Sequence, residues 1–319
     1  MAAGLLLRLL GLLLIASSIG IALSRAPDRP AQTLVARWAP PPSDFIDVRG
    51  QVVHLRDEGP RNDPTPLLLL HGTGASLHTW DGWVAALKSQ RRVIRIDLPA
   101  FGMTGPFAGQ YARDDYRGDT YARFVLDLLD ALRVPRATIA GNSLGGEVAW
   151  RAVTLAPQRF DKLILVDATG YAFAPDEIPL GFRLARLPMV NHIGEHLLPR
   201  GLVAASVRSV YGDPSRVSSD LIDRYFELTL REGNRRALGL RMQQLEMGDH
   251  AARIKTITLP TLVLWGGRDR LVPPANAQRF AADIRGARLV LFDTLGHVPH
   301  EEDPARTVAA VVEFLEMKR

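Results

Sequence analysis

The chain contains no cysteine. That excludes a disulfide framework, cysteine-ligated zinc and a thiol nucleophile. Lysine is nearly as scarce: Lys88, Lys162, Lys255 and Lys318 are the only four, so arginine supplies 35 of the 39 basic residues. These arginines are interleaved with 34 acidic residues rather than gathered in a block. No Cys/His zinc pattern accompanies them, so a net charge of +5 and a pI of about 9.8 describe an arginine-biased surface and not a nucleic-acid module. Repeats and low-complexity tracts are missing as well, which removes solenoid and fibrous architectures. Only one long apolar stretch exists and mean hydropathy is +0.01, so a multi-span transporter is excluded. What is present is 319 residues, 47% of them hydrophobic. That is too apolar for a disordered chain and long enough to bury a large core.

The single apolar stretch runs from Gly4 to Leu23, broken by Arg8, Ser17 and Ser18. As a helix it would extend about 30 Å. Residues 1–24 are therefore expected to be a membrane anchor or a signal segment. Its length favours an uncleaved anchor over a signal peptide cut near Ala22-Leu23-Ser24. A buried domain helix is disfavoured by that same length. The expectation is membrane association through a single N-terminal helix, the side left open, with a secreted or periplasmic protein as the alternative. Arg25, Arg29 and Arg37 argue for a cytoplasmic domain, and the short head before the helix argues the other way. Residues 25–43 carry Pro27, Pro30, Pro40, Pro41 and Pro42 and are expected to form an extended, non-helical spacer.

From residue 44 the pattern changes. Residues 44–49 and 51–56 alternate apolar and polar around Gly50, as a hairpin does. Short apolar runs follow at 66–70, 93–97, 137–141, 163–166, 261–265 and 289–292, the signature of parallel strands buried on both faces. Helical periodicity fills the intervals at 77–89, 120–132, 145–156, 275–283 and 306–317. The fold class is α/β: a mostly parallel eight-stranded sheet flanked by helices. The alternation lapses for nearly a hundred residues after Val166. Residues 171–250 are accordingly expected to be a helical cap inserted after the sixth strand, over a core of 44–170 and 251–319.

Gly141-Asn142-Ser143-Leu144-Gly145 follows a predicted strand and opens a predicted helix, which is the context a G-x-S-x-G nucleophile needs. A serine hydroxyl requires a general base, and the base an orienting carboxylate. Asp269 sits in Gly266-Gly267-Arg268-Asp269 at a strand's carboxyl end, and His297 lies in a short loop after the last strand. Asp97, Asp167 and Asp293 also end strands, and Asp167 is the serious rival acid. His300 is the rival base, expected to be a surface residue. His71 and His78 are expected to have structural roles. The oxyanion requires two N–H donors. The amide of Leu144, at the helix start, and that of Thr73, between Gly72 and Gly74, are the candidates.

These motifs, with Asp97-Leu98-Pro99-Ala100-Phe101-Gly102 and Gly296-His297-Val298-Pro299-His300-Glu301-Glu302, make residues 44–319 similar to the α/β-hydrolase family. The resemblance implies an α/β-hydrolase fold and the roles just given for Ser143, Asp269, His297, Thr73 and Leu144. Ala100 departs from the glycine many members have, with no catalytic consequence expected. A serine at the elbow argues against the dehalogenase and epoxide hydrolase branches, which use aspartate there. The elbow looks like those of carboxylesterases and of hydrolases that cleave carbon–carbon bonds in ring-cleavage products. The latter usually carry a Gly-Pro-Gly-type oxyanion loop, whereas Gly74-Ala75-Ser76 follows here, which favours a small-molecule ester as substrate. Amidase and thioesterase activities stay open as further alternatives. No cofactor, metal or nucleic acid is called for.

Overall fold

The hairpin and the apolar runs assemble into one sheet. In the computed structural model, which describes residues 2–172, 182, 196–246 and 248–317, the strands are β1 (Ser43–Val48), β2 (Gln51–Glu58), β3 (Leu67–Leu70), β4 (Val93–Ile96), β5 (Ala137–Asn142), β6 (Phe160–Val166), β7 (Thr261–Gly266) and β8 (Arg288–Phe292). They are ordered β1-β2-β4-β3-β5-β6-β7-β8, and only β2 runs against its neighbours. Register brings Leu70 beside Gly141, Asn142 beside Val166 and Gly266 beside Phe292. The loops carrying residues 71–74, 143, 167, 267–269 and 293–297 therefore leave the same edge of the sheet.

The helices are α1 (Ala2–Ser24), α2 (Gln32–Trp38), α3 (Asp81–Leu87), α4 (Gly118–Ala131), α5 (Leu144–Leu155), α6 (Arg200–Ser209), α7 (Ser219–Thr229), α8 (Asn234–Gln243), α9 (Ala275–Asp283), α10 (Pro299–Glu302) and α11 (Pro304–Glu316). The run Leu67-Leu68-Leu69-Leu70 shows why continuous apolarity was informative. Leu68 and Leu70 join the core beneath α4 and α5, while Leu67 and Leu69 join the core beneath α3 and α11. A strand covered on both faces has no polar side to advertise its period.

Two expectations about the N-terminal region are corrected. Residues 2–24 are helical, but among the described residues no helix is long and apolar enough to cross a membrane. Arg8, Ser17 and Ser18 interrupt the apolar sequence of α1. The single-helix membrane association is thereby overturned. The spacer is not wholly extended either. Its prolines sit at 27, 30 and 40–42, which leaves room for α2 between them. Leu34 and Trp38 of α2 are buried with Met103 and Leu228, and the Trp38 indole donates to Glu227 at 2.7 Å. Burial of a tryptophan and a leucine outweighs the extended bias of nearby prolines. Much of the expected cap, 173–181 and 183–195 together with Met247, lies outside the described residues.

Candidate active site

The strand–turn–helix at Ser143 is tight. Ser143 has φ 54° and ψ −116°, in the left-handed region that side chains avoid, at a cost of order 1–3 kcal/mol. Its amide is tied to Val166 O (3.0 Å), and its carbonyl accepts from the amides of Glu147 (3.0 Å) and Thr169 (3.2 Å). The elbow glycines are steric necessities. A Cβ on Gly141 would lie 2.1 Å from the Gly145 carbonyl oxygen, and one on Gly145 would lie 2.2 Å from that of Leu70.

The loop after β3 presses on this turn: a Cβ on Gly72 would lie 3.1 Å from Ser143 Cβ. Thr73 follows immediately. Among the described residues neither the Thr73 amide nor the Leu144 amide donates a hydrogen bond, and both residues border the same cavity as Ser143. Leu144 is the first residue of α5, where the helix leaves its amides unpaired.

Asp269 follows β7. Its Oδ1 accepts the amides of Leu271 (2.8 Å) and Val272 (2.9 Å), and its Oδ2 lies 2.7 Å from His297 Nδ1. His297 Nε2 is buried and has no hydrogen-bond partner among the described residues. His297 and Ser143 line one cavity of about 440 Å³, but no hydrogen bond joins them in this structure.

Residues 67–311 match the model of the alpha/beta hydrolase family. The chain belongs to that family. It is similar to an uncharacterized protein of Mycobacterium tuberculosis, with 30% identity over 87% of this chain and 82% of that one. It is 29% identical to a 2-hydroxy-6-oxononadienedioate/2-hydroxy-6-oxononatrienedioate hydrolase of Cupriavidus pinatubonensis, over 82% of this chain and 90% of that one. A solved hydrolase from Pseudomonas aeruginosa superposes with a TM-score of 0.70 and 26% identity, covering 86% of this chain and all but 2% of the other.

In this hydrolase the rival residues have other work. Asp97 is wholly buried. Its oxygens accept the amides of Leu77 and Met103 (2.7 Å each) and contact His54 Nδ1 (2.7 Å). Burial alone would raise its carboxyl, but the His54 contact and the nearby His71 and His78 outweigh burial and hold it below the usual range. His71 donates from Nδ1 to Gly72 O and accepts the Leu98 amide at Nε2, a neutral tautomer whose pKa burial lowers. His300 is not a surface residue. It is fully buried, with its ring 4.0 Å from that of Trp80 and its Nε2 3.1 Å from Thr79 Oγ1, and burial pushes its pKa well down.

Several residues of the site had no readable sequence signal. Asn142 Nδ2 donates to Val166 O (3.2 Å) and His297 O (2.9 Å), pinning the elbow to the base loop. The His297 amide donates to Val210 O (2.7 Å), just beyond α6. Glu302 accepts the amides of Gly212, Asp213 and Gly296. Glu147, one turn into α5, holds Arg151 (3.0 Å) and Arg241 of α8 (2.8 Å), and Arg151 also contacts Asp119 and Glu246. Asp167, Asp269 and His297 place ligand-type atoms within 4.8 Å of one another. A metal taken there would break the Asp269–His297 hydrogen bond.

Proposed function

We propose that the chain is a serine hydrolase of carboxylic esters with apolar acyl groups, acting through Ser143, His297 and Asp269. The observation that carries this reading is the His297 ring. One nitrogen is fixed on Asp269 while the other is buried and unsatisfied, on the wall it shares with a strained serine. Ser143 Oγ attacks the ester carbonyl as His297 Nε2 takes its proton. The oxyanion forms against the Thr73 and Leu144 amides. Collapse expels the alcohol, which receives the proton from His297, and water then attacks the acyl-enzyme by the same route.

The substrate class follows from the walls. Leu198, Val203, Val207, Leu238, Leu271 and Val272 give the cavity an apolar lining. We read the inserted helices of 171–250 as its cap, because residues of α6, α7 and α8 border the cavity together with the loops that leave the sheet. Arg151 and Arg241 reach its edge, but each is held by carboxylates, which favours a neutral substrate over a dicarboxylate. The second reading is carbon–carbon hydrolysis, favoured by likeness to the Cupriavidus enzyme.

A panel of p-nitrophenyl esters of increasing acyl length, run beside a vinylogous dienone, separates the two. Ester turnover with fluorophosphonate labelling of Ser143 supports the first reading. Turnover of the dienone with negligible esterase activity selects the second. In either case Ser143→Ala should lower kcat by about 10⁴ or more. Full ester turnover by that variant would sink the assignment.

A further inference from the structure

The carboxylate that orients His297 has a neighbour the reaction above does not use. Asp167 follows β6 directly, is fully buried, and has a backbone φ of 44°. Its Oδ1 accepts the Gly266 amide at 2.9 Å. Its Oδ2 is shut away from water and has no hydrogen-bond partner among the described residues. That is an unusual state for a buried carboxylate oxygen. Asp269 from the loop after β7, His297 from the loop after β8 and Glu302 from α10 are the titratable groups acting on it. Among the described residues no arginine or lysine bonds to either aspartate. Two buried carboxylates within 4.8 Å of each other, sharing one imidazole within the same distance, cannot both be ionised without an uncompensated charge.

We propose that Asp167 is held as the neutral carboxylic acid and donates its proton in a hydrogen bond to the Asp269 carboxylate, so that it acts as a positioning residue for the His297–Asp269 pair. The environment agrees. Burial first, and then the charge of Asp269, raise the Asp167 carboxyl well above the usual range, and the opposing Gly266 amide does not offset them. The proton satisfies the orphan oxygen. It also adds a donor to a carboxylate that already accepts from Leu271, Val272 and His297. Asp269 is then fixed against rotation, and its charge, shared with a further donor, stabilises the imidazolium less. The proton that His297 takes from Ser143 is released more readily to the leaving group.

This inference rests on the triad reading, and its test is chosen to be separable from it. The pH dependence of kcat/KM on p-nitrophenyl butyrate is measured for the wild type, Asp167→Asn and Asp167→Leu. Infrared difference spectra of wild type against Asp167→Asn are recorded at pH 7 without substrate. The amide of Asp167→Asn keeps a donor to Asp269, so the acid limb should stay within about 0.3 pH unit of wild type. Asp167→Leu removes the donor, so the acid limb should move up by about one unit. The infrared difference should contain the carbonyl stretch of a protonated carboxyl, present only in wild type. A downward shift of about one unit in Asp167→Asn would mean that a charge had been removed, and would overturn the proposal. Absence of the wild-type carboxyl band would do the same. If Asp167→Leu does not fold, the other two measurements decide. The infrared band needs no turnover, so it remains decisive even where Ser143→Ala retains activity and the triad reading fails.

Discussion

Replacing Glu147 by Gln should be among the most destabilising conservative changes in this chain. The Glu147 carboxylate is 5% exposed and faces two guanidiniums, Arg151 and Arg241, each 1% exposed. Arg151 would keep Asp119 and Glu246. Among the described residues Arg241 would keep only neutral acceptors, the Tyr116 carbonyl at 3.0 Å and the new amide oxygen, and no carboxylate. The change therefore strands one buried guanidinium, and breaking such a pair costs about 3–5 kcal/mol. Against a total stability of about 5–15 kcal/mol that is a large fraction. Urea unfolding followed by circular dichroism gives the loss, and the double variant Glu147→Leu with Arg241→Met supplies the control. With both charges gone, most of the loss should be regained, and the cycle completed by Glu147→Leu and Arg241→Met alone should give a coupling above about 2 kcal/mol. A loss below about 1 kcal/mol in Glu147→Gln would refute the reasoning. It would mean that water from the adjoining cavity solvates Arg241 and that the cluster is not dry.

Two further outcomes follow from the same structure. Gly145→Ala places a Cβ 2.2 Å from Leu70 O and 2.7 Å from His71 O, both backbone atoms, so it should lower the melting temperature and cut ester turnover at least about tenfold by displacing the loop that carries Thr73. Gly201→Ala, where nothing lies within 4 Å, should leave both intact and serves as the control. Acid should destabilise the fold through its buried histidines, because burial lowers the His78 pKa from 6.5 to about 4 and lowers those of His71 and His300 too, outnumbering the single opposing contribution of the raised Asp167 carboxyl. Between those values the unfolded chain binds protons that the folded one refuses, so stability is lost as pH falls from 6.5 towards 4. His78 alone accounts for about 3 kcal/mol. Melting curves from pH 7 to 4.5 should show that fall, reduced in His78→Gln, and an equal fall in that variant would remove His78 as its source.

The sheet was legible because its strands are buried on both faces and its helices on one, two periodicities that a linear sequence displays. The positions of Ser143, Asp269 and His297 were legible because sharp turns at strand ends demand glycines, and glycines leave a pattern. What escaped reading depends on residues far apart in the chain. The helix at Gln32–Trp38 exists because Trp38 finds Glu227, almost two hundred positions away. The burial of His300 depends on Trp80 and Thr79, and the bridge made by Asn142 depends on the His297 carbonyl. The apolar character of Gly4–Leu23 suggests a membrane crossing that the structure does not bear out, since composition alone does not decide it. The sequence marks Asp167 only as a competitor for the acid's role. Its closeness to Asp269 arises from the adjacency of β6 and β7, which no spacing in the sequence displays.

The base loop and the segment after α6 share their fastenings. The His297 amide is bonded to Val210, and Glu302 grips Gly212, Asp213 and Gly296 together. Residues 210–213 cannot swing outward while His297 keeps its place. If His297 is the base proposed above, an excursion of that segment, whose Val210 borders the cavity, displaces the base as well, so the site is not at once open at this edge and competent to react. Substrate entry and product exit at this edge would thus alternate with the chemical step and not coincide with it. Amide hydrogen exchange at His297 would time them directly, and its rate would set an upper bound on traffic by that route.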